Sequence, residues 1–304
     1  MAVDTALVTP QGPWAHRMIA ANGGRFHVAM TGPDDGDAPL VVLLHGFPQF
    51  WWSWRVPLVA LGEAGYRVAA MDLRGYGASD KPPSFYDLPT LIADVAGVIR
   101  SLGSESAVVV GAGLGGQVAW SLPAYARGAI RAIGVLGALH PAYALSRGHR
   151  DIAPGTLLQV GRFQLPWFPE RSITHGDLVA RLLASWSAPG WRCPDVDLYT
   201  QVARLPFAAH SQMEQLRWLV RSRPRPDGRR FRDTITTPVT VPVLSLHGRE
   251  DNNVPPRAGR RDGELVQAPF RRVVIERAGH FLPEEAPDEV TDLLVEWLAE
   301  LPSD

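Results

Sequence analysis

The chain has 304 residues, 46 % of them hydrophobic, which suits one α/β domain carrying an insertion and allows a sizeable buried core. Its 30 basic and 31 acidic residues nearly cancel, so net charge gives no argument for a nucleic-acid or membrane partner. A single cysteine, Cys193, excludes an internal disulfide and a cysteine metal cluster, and fits a cytoplasmic setting.

The first residues, MAVDTALVTPQGPW, lack a basic segment followed by an apolar one, so no signal peptide is expected. No apolar run approaches the length of a membrane span. AHRMIAA, NGG and RFHVAMTG then read as a hairpin, with Asn22-Gly23 as its tight turn. LVVLLH, Leu40 to His45, is a continuous apolar run of the kind that suits a strand covered on both faces. A helix is expected around Trp52 to Ala64, a strand over Tyr66 to Asp72, and a loop through LRGYGASDKPP. LPTLIADVAGVIRSLG has helical spacing and stops at Gly103. SAVVVG is a strand, LGGQVAWSLPAYA a helix interrupted or ended near Pro123, and IRAIGVLGA another strand.

After Pro141 the alternation stops. Tryptophan, arginine and proline become frequent, and HGDLVARLLASW, VDLYTQVARL and HSQMEQLRWLV have helical spacing. The basic run Arg221 to Asp233 could bind phosphate, but reads better as a solvated hinge returning the chain to the core. VPVLSLHG, FRRVVIERAG and PDEVTDLLVEWLAEL then restore the alternation. The expected fold class is α/β, a doubly wound and mainly parallel sheet with an inserted helical segment. The expected division is 1–141 for the first half of the core, 142–237 for the insertion and 238–304 for the second half.

Four places carry candidate chemistry. His45-Gly46-Phe47-Pro48 follows a strand, where a glycine lets a backbone N–H turn toward a developing oxyanion; the plainer alternative is an ordinary turn. Asp251 follows the apolar run VPVLSL, where a carboxylate could orient a histidine, although Asp-Asn-Asn is also good turn chemistry. His280 lies in a loop after a strand, at the sheet edge where an open sheet puts its ligand crevice, and is a general-base candidate. Gly111 to Gly115 has the small outer residues of a G-x-S-x-G nucleophile elbow, but its tip, Gly113, bears no side chain. The chain order elbow, acid, histidine holds.

HGFPQFWWSW, MDLRGYGASDKP, the elbow, LHGREDNNVP and AGHFLPEEAPDEV together resemble the α/β-hydrolase superfamily, in its epoxide-hydrolase and haloalkane-dehalogenase branch. The resemblance implies an α/β-hydrolase fold in which the insertion is a cap shaping the substrate pocket. It implies that Asp251 and His280 are the acid and base, and that the backbone N–H groups of Phe47 and Leu114 form the oxyanion hole. Gly113 then occupies the position of the family's aspartate or serine, a vacant nucleophile position. The epoxide-hydrolase elbow usually reads Gly-His-Asp-Trp-Gly-Gly, whereas here it is GAGLGG. Ala112 and Leu114 depart as well, so one introduced substitution does not explain the stretch. Epoxide hydrolases protonate the epoxide oxygen with cap tyrosines, one of which precedes an arginine. In the similar place here Leu216 precedes Arg217, and Tyr199 is the tyrosine well inside the insertion, Tyr125 and Tyr143 lying near or before its start.

The functional expectation is an epoxide-hydrolase-like protein without the covalent nucleophile. His280 and Asp251 would act as a general-base pair in direct hydrolysis or a lyase-type step on a small apolar substrate. The alternative is a non-catalytic, ligand-binding pseudoenzyme. Trp51 and Tyr199 are the candidate pocket residues, with core packing as the alternative for at least two of Trp51, Trp52 and Trp54. No cofactor, metal, nucleic acid or membrane is implied, and the expected location is cytoplasmic.

Overall fold

The computed structural model describes residues 5–34, 38–146 and 154–302. A short helix, α1 (Thr5–Val8), precedes a hairpin of β1 (Ala15–Ala21) and β2 (Gly24–Thr31). Its turn residues Asn22 and Gly23 both have positive φ, 44° and 73°, as the tight hairpin turn requires. β3 (Leu40–Leu44) is buried along its whole length, as its unbroken apolar run demands. A 3₁₀ turn over Trp51–Trp54 leads into α2 (Arg55–Glu63), and β4 (Arg67–Met71) follows. α3 (Leu88–Ser101) begins where the Asp87 carboxylate accepts the Thr90 N–H at 2.9 Å.

β5 (Ala107–Ala112) runs through a one-residue bend into α4 (Leu114–Tyr125). That helix continues through Pro123 and ends two residues later. β6 (Ile130–Leu136) is the sixth of the eight strands. Helices α5 (Pro141–Ser146), α6 (Pro154–Phe163), α7 (Phe168–Thr174), α8 (Leu178–Trp186), α9 (Val196–Ala203), α10 (Ala208–Arg221) and α11 (Pro226–Ile235) come next. The chain then returns to the sheet with β7 (Val243–Gly248) and β8 (Phe270–Ile275), and closes with α12 (Leu282–Glu285) and α13 (Pro287–Ala299).

The eight strands form one sheet in the order β1-β2-β4-β3-β5-β6-β7-β8, antiparallel at β1/β2 and β2/β4 and parallel elsewhere. α2 packs on α13 and α3 on α4, so helices flank the sheet in an α/β-hydrolase fold. Register positions the site. Leu44 lies opposite Gly111, Ala112 opposite Leu136, Leu136 opposite Leu246, and Gly248 opposite Ile275. The carboxyl ends of β3, β5, β6, β7 and β8 therefore form one edge, and the loops leaving them converge there.

Two local expectations change. The basic run is not a hinge: residues 226–235 form α11, with Pro226 in its first turn and Phe231 and Ile235 buried one turn apart. The Phe231 ring stacks on Tyr125 and meets Trp218 edge-on. Two apolar residues four apart make one packed face, and the arginines take the other. Trp51, expected in a ligand pocket, is fully buried beneath the hairpin. Its Nε1 donates to Val8 O at 2.9 Å, and its ring meets Trp14 and His16 edge-on. The motif MDLRGYGASDKP has a structural task as well. Asp72 accepts the backbone N–H groups of Trp51 and Ala78 and bonds the His27 ring at 2.9 Å, tying the loops after β3 and β4 to β2.

Candidate active site

The loop after β8 carries His280, and the turn after β7 carries Asp251. His280 Nδ1 lies 2.8 Å from Asp251 Oδ2, in a pair that is almost wholly buried. The other oxygen, Asp251 Oδ1, accepts the N–H groups of Asn253 and Val254 at 2.8 and 2.7 Å. Turn chemistry and histidine pairing are thus not rival roles for Asp251, since each uses a different oxygen. A carboxylate so held accepts the Nδ1 proton and leaves Nε2 as the acceptor. Asn253 Nδ2 lies 3.1 Å from Nε2, and an amide donating there favours the same tautomer.

Nε2 faces the bend between β5 and α4. Gly113 sits at its tip with φ 51° and ψ −112°, the sharp strand-to-helix geometry of an elbow. A Cβ built on Gly113 would stand 3.4 Å from His280 Nε2 and 3.5 Å from the Gly46 Cα. Leu114 is the first residue of α4, so its N–H has no partner within the helix. The loop bearing Phe47 is fixed by His45, whose Nε2 accepts the Leu73 N–H at 3.1 Å and whose Nδ1 bonds Gly46 O at 3.0 Å. Burial holds the His45 pKa below its ordinary value, so the ring serves there as a neutral strut.

A cavity of about 140 Å³ opens against these groups. From the sheet side Phe47, Gly113, Leu114, Gly137, Asn253 and His280 line it, and Gln117 reaches in from α4. Trp186 at the end of α8 and Leu216 and Leu219 of α10 close it from the helices between β6 and β7. The Trp186 ring meets His280 edge-on, with centroids 5.4 Å apart. No Asp, Glu, Ser, Thr, Cys or Tyr side chain is among the described residues lining this cavity.

The structure thus brings together Gly113, Leu114, Phe47, Asp251 and His280. It does not bring Trp51 or Tyr199 to the cavity wall. Tyr199 is fully buried, edge-on to Phe50 at 5.7 Å, and burial with the nearby Glu284 charge raises its pKa well above the ordinary value. Tyr125 and Tyr143 are likewise not among the lining residues. Sequence reasoning missed Asn253, Trp186, Gln117 and Leu219. Asn253 was visible only as turn chemistry, Gln117 lies one helical turn beyond Gly113, and Trp186 and Leu219 reach the cavity through packing of distant segments.

A separate buried network lies beside Tyr199. Glu284 accepts from Arg55 Nη1 at 2.6 Å and from Gln49 Nε2 at 2.7 Å, while Arg55 Nη2 also pairs with Asp195 at 3.0 Å. Next to it, burial and the Glu284 charge push the Cys193 thiol up to about 12. Among the described residues no group of three or more His, Cys, Asp or Glu side chains is assembled to hold a metal, and no helix is long and apolar enough to cross a membrane.

Comparison with known proteins places this geometry in context. The alpha/beta hydrolase fold family matches residues 39–287. Epoxide hydrolase A of Mycobacterium tuberculosis is 31 % identical over 324 residues, covering 95 % of this chain and 99 % of that protein. Human epoxide hydrolase 4 is 30 % identical over 302 residues, covering 95 % of this chain and 80 % of that protein. Among solved structures, an epoxide hydrolase from an endophytic Streptomyces is similar with a TM-score of 0.80 and 28 % identity, covering 96 % of this chain and 97 % of that one.

Proposed function

The chain belongs to the α/β-hydrolase family and has epoxide hydrolases among its relatives, and from that premise we propose an epoxide-hydrolase-like enzyme that works without a covalent nucleophile. Asp251 and His280 are its base pair, Gly113 stands at the vacant nucleophile position, and the helices of residues 142–237 are a cap over the pocket. One observation carries this reading. His280 Nε2 points at a bend that bears no side chain, beside a cavity whose described lining offers no replacement nucleophile.

In the proposed reaction His280 Nε2 takes a proton from water as the water oxygen attacks an electrophilic carbon of a small apolar substrate. The bond from that carbon to the leaving oxygen breaks, and its electron pair goes to that oxygen. The backbone N–H groups of Phe47 and Leu114 stabilise the oxyanion until His280 returns the proton. Asp251 stabilises the imidazolium in between. Should the base instead remove a proton from substrate carbon, the same residues perform a lyase-type elimination. Ordinary acyl- or alkyl-enzyme chemistry finds no group on which to form among the described residues lining the cavity.

A panel of apolar epoxides and esters, assayed in ¹⁸O-labelled water, tests the proposal. Turnover that incorporates the label, falls about 10²- to 10⁴-fold in His280→Ala and leaves no adduct by intact mass is the expected result. Turnover unchanged in His280→Ala overturns it, and turnover without label selects elimination. The apolar walls given by Phe47, Trp186, Leu216 and Leu219 favour a second reading, a ligand-binding protein. That reading is selected if a panel compound raises the melting temperature equally in the parent and in His280→Ala while neither turns it over.

A further inference from the structure

The sequence GHFLPEEAP carries two adjacent glutamates with different partners. Glu284 belongs to the ion network with Arg55 and Gln49. Glu285 touches no cationic side chain in any described hydrogen bond or ion pair. Its carboxylate is spent on three backbone N–H groups instead. Oε2 accepts from Gly279 at 2.8 Å and from Ala188 at 2.7 Å, and Oε1 accepts from Phe281 at 2.8 Å.

Gly279 and Phe281 are the residues on either side of His280. Ala188 belongs to the segment that follows α8, in the helical part of the chain. His280 donates its own backbone N–H to Trp186 O at 3.0 Å, so the same two stretches are joined a second time. The Trp186 ring then packs edge-on against His280 and stacks on Phe281. Residues 279–281 and 186–188 are thereby knitted by four hydrogen bonds, and one carboxylate takes three of them.

We propose that Glu285 is the positioning residue of His280, and that it fixes the base only when the 186–188 segment is docked. Charge makes this more than loop packing. A carboxylate accepting three N–H groups forms strong, charge-assisted bonds and draws the donors to one point. Their convergence orients the peptide planes flanking His280, and with them the direction of the imidazole toward Asp251 and Gly113. Because Ala188 shares an oxygen with Gly279, release of the helical segment leaves that oxygen with a single backbone donor. Closure of the cavity by Trp186 and placement of the base become one event. Calling His280 the base rests on the function proposed above; the clamp itself does not.

The test needs no substrate, so its failure is distinguishable from failure of the proposed reaction. In protein with ¹⁵N-labelled histidine rings, the His280 Nδ1 proton bonded to Asp251 is followed by NMR in the parent and in Glu285→Gln. The amide keeps one acceptor and turns an NH₂ toward an N–H donor, so that proton should exchange about tenfold faster or more. A folded Glu285→Gln with unchanged His280 ring signals and exchange overturns the proposal. Should Glu285→Gln fail to fold, backbone amide exchange in the unaltered protein decides. Ala188, Gly279 and Phe281 should then open as one unit, with protection alike to within about threefold. Ala188 exchanging more than about tenfold faster than the other two overturns the coupling.

Discussion

Gly113 shows how little space separates the proposed chemistry from the family's usual route. A Cβ there meets ordinary contacts, 3.4 Å from His280 and 3.5 Å from Gly46, so the backbone approach leaves room for the first side-chain atom of Gly113→Asp. The positive φ makes it cost about 1–3 kcal/mol of stability, measured by urea unfolding. Its carboxylate would stand at the cavity, and incubation with a reactive epoxide should yield an alkyl-enzyme ester by intact mass, absent from the parent. No adduct would mean that the helical walls have diverged too far to admit such substrates. A second residue-scale effect lies at Asp262, buried with no cation among the described residues bonded to it, where burial raises the carboxyl pKa from 3.8 to about 7. A raised acid favours the folded state below its unfolded pKa and loses that contribution as pH climbs to the folded value. The penalty therefore grows from about pH 4 to about pH 7, reaching on the order of 4 kcal/mol above that. Asp262→Asn still accepts the His140 N–H, and should stabilise the protein by a few kcal/mol at pH 8 but hardly at pH 4, read from urea midpoints. Asp251 and His280 were legible in the sequence because each follows a strand within a dense local motif. Asn253 was hidden behind its own turn propensity. Trp51 misled because an aromatic cluster after a strand has the same text whether it faces a ligand or the hairpin.

At the scale of elements, the elbow depends on how closely α4 approaches β3. A Cβ on Gly115 would lie 2.4 Å from Leu44 O and 2.7 Å from His45 O, and the Gly115 N–H bonds His45 O at 3.2 Å. Both obstacles are backbone, which cannot swing aside. Gly115→Ala should push the first turn of α4 off the sheet, costing about 1–3 kcal/mol and displacing the Leu114 N–H. A urea midpoint equal to the parent's would show that the helix tolerates the shift. The strands were legible because a central parallel strand must be apolar on both faces, which leaves an unbroken run such as LVVLL. α11 was not, because two apolar residues among three arginines look solvated until Trp218 and Tyr125 supply the surface they pack on.

For the whole molecule, one arginine joins three remote parts of the chain. Arg55 from the first half of the sheet region pairs with Asp195 from the helical segment and with Glu284 beyond β8, and Trp52 Nε1 adds a bond to Asp195 at 3.0 Å. Removing the cation strands a buried carboxylate whose pKa burial already raises. Arg55→Met should cost about 3 kcal/mol at pH 8, and the double variant with Glu284→Gln should recover much of it in the same urea experiment. Equal losses in the single and double variants would show that stem packing, not charge, holds the three parts together. Such links were invisible beforehand, since nothing in a linear text pairs position 55 with 195 and 284. The half-buried sulfur beside this network has a practical consequence. With its thiol pushed up to about 12, Cys193 stays protonated at neutral pH and is a poor target for alkylating reagents. The protein is thus nearly blank to maleimides and iodoacetamide, and a cysteine introduced at position 113 would be its one reactive handle, labelled at a rate that reports on the imidazole beside it.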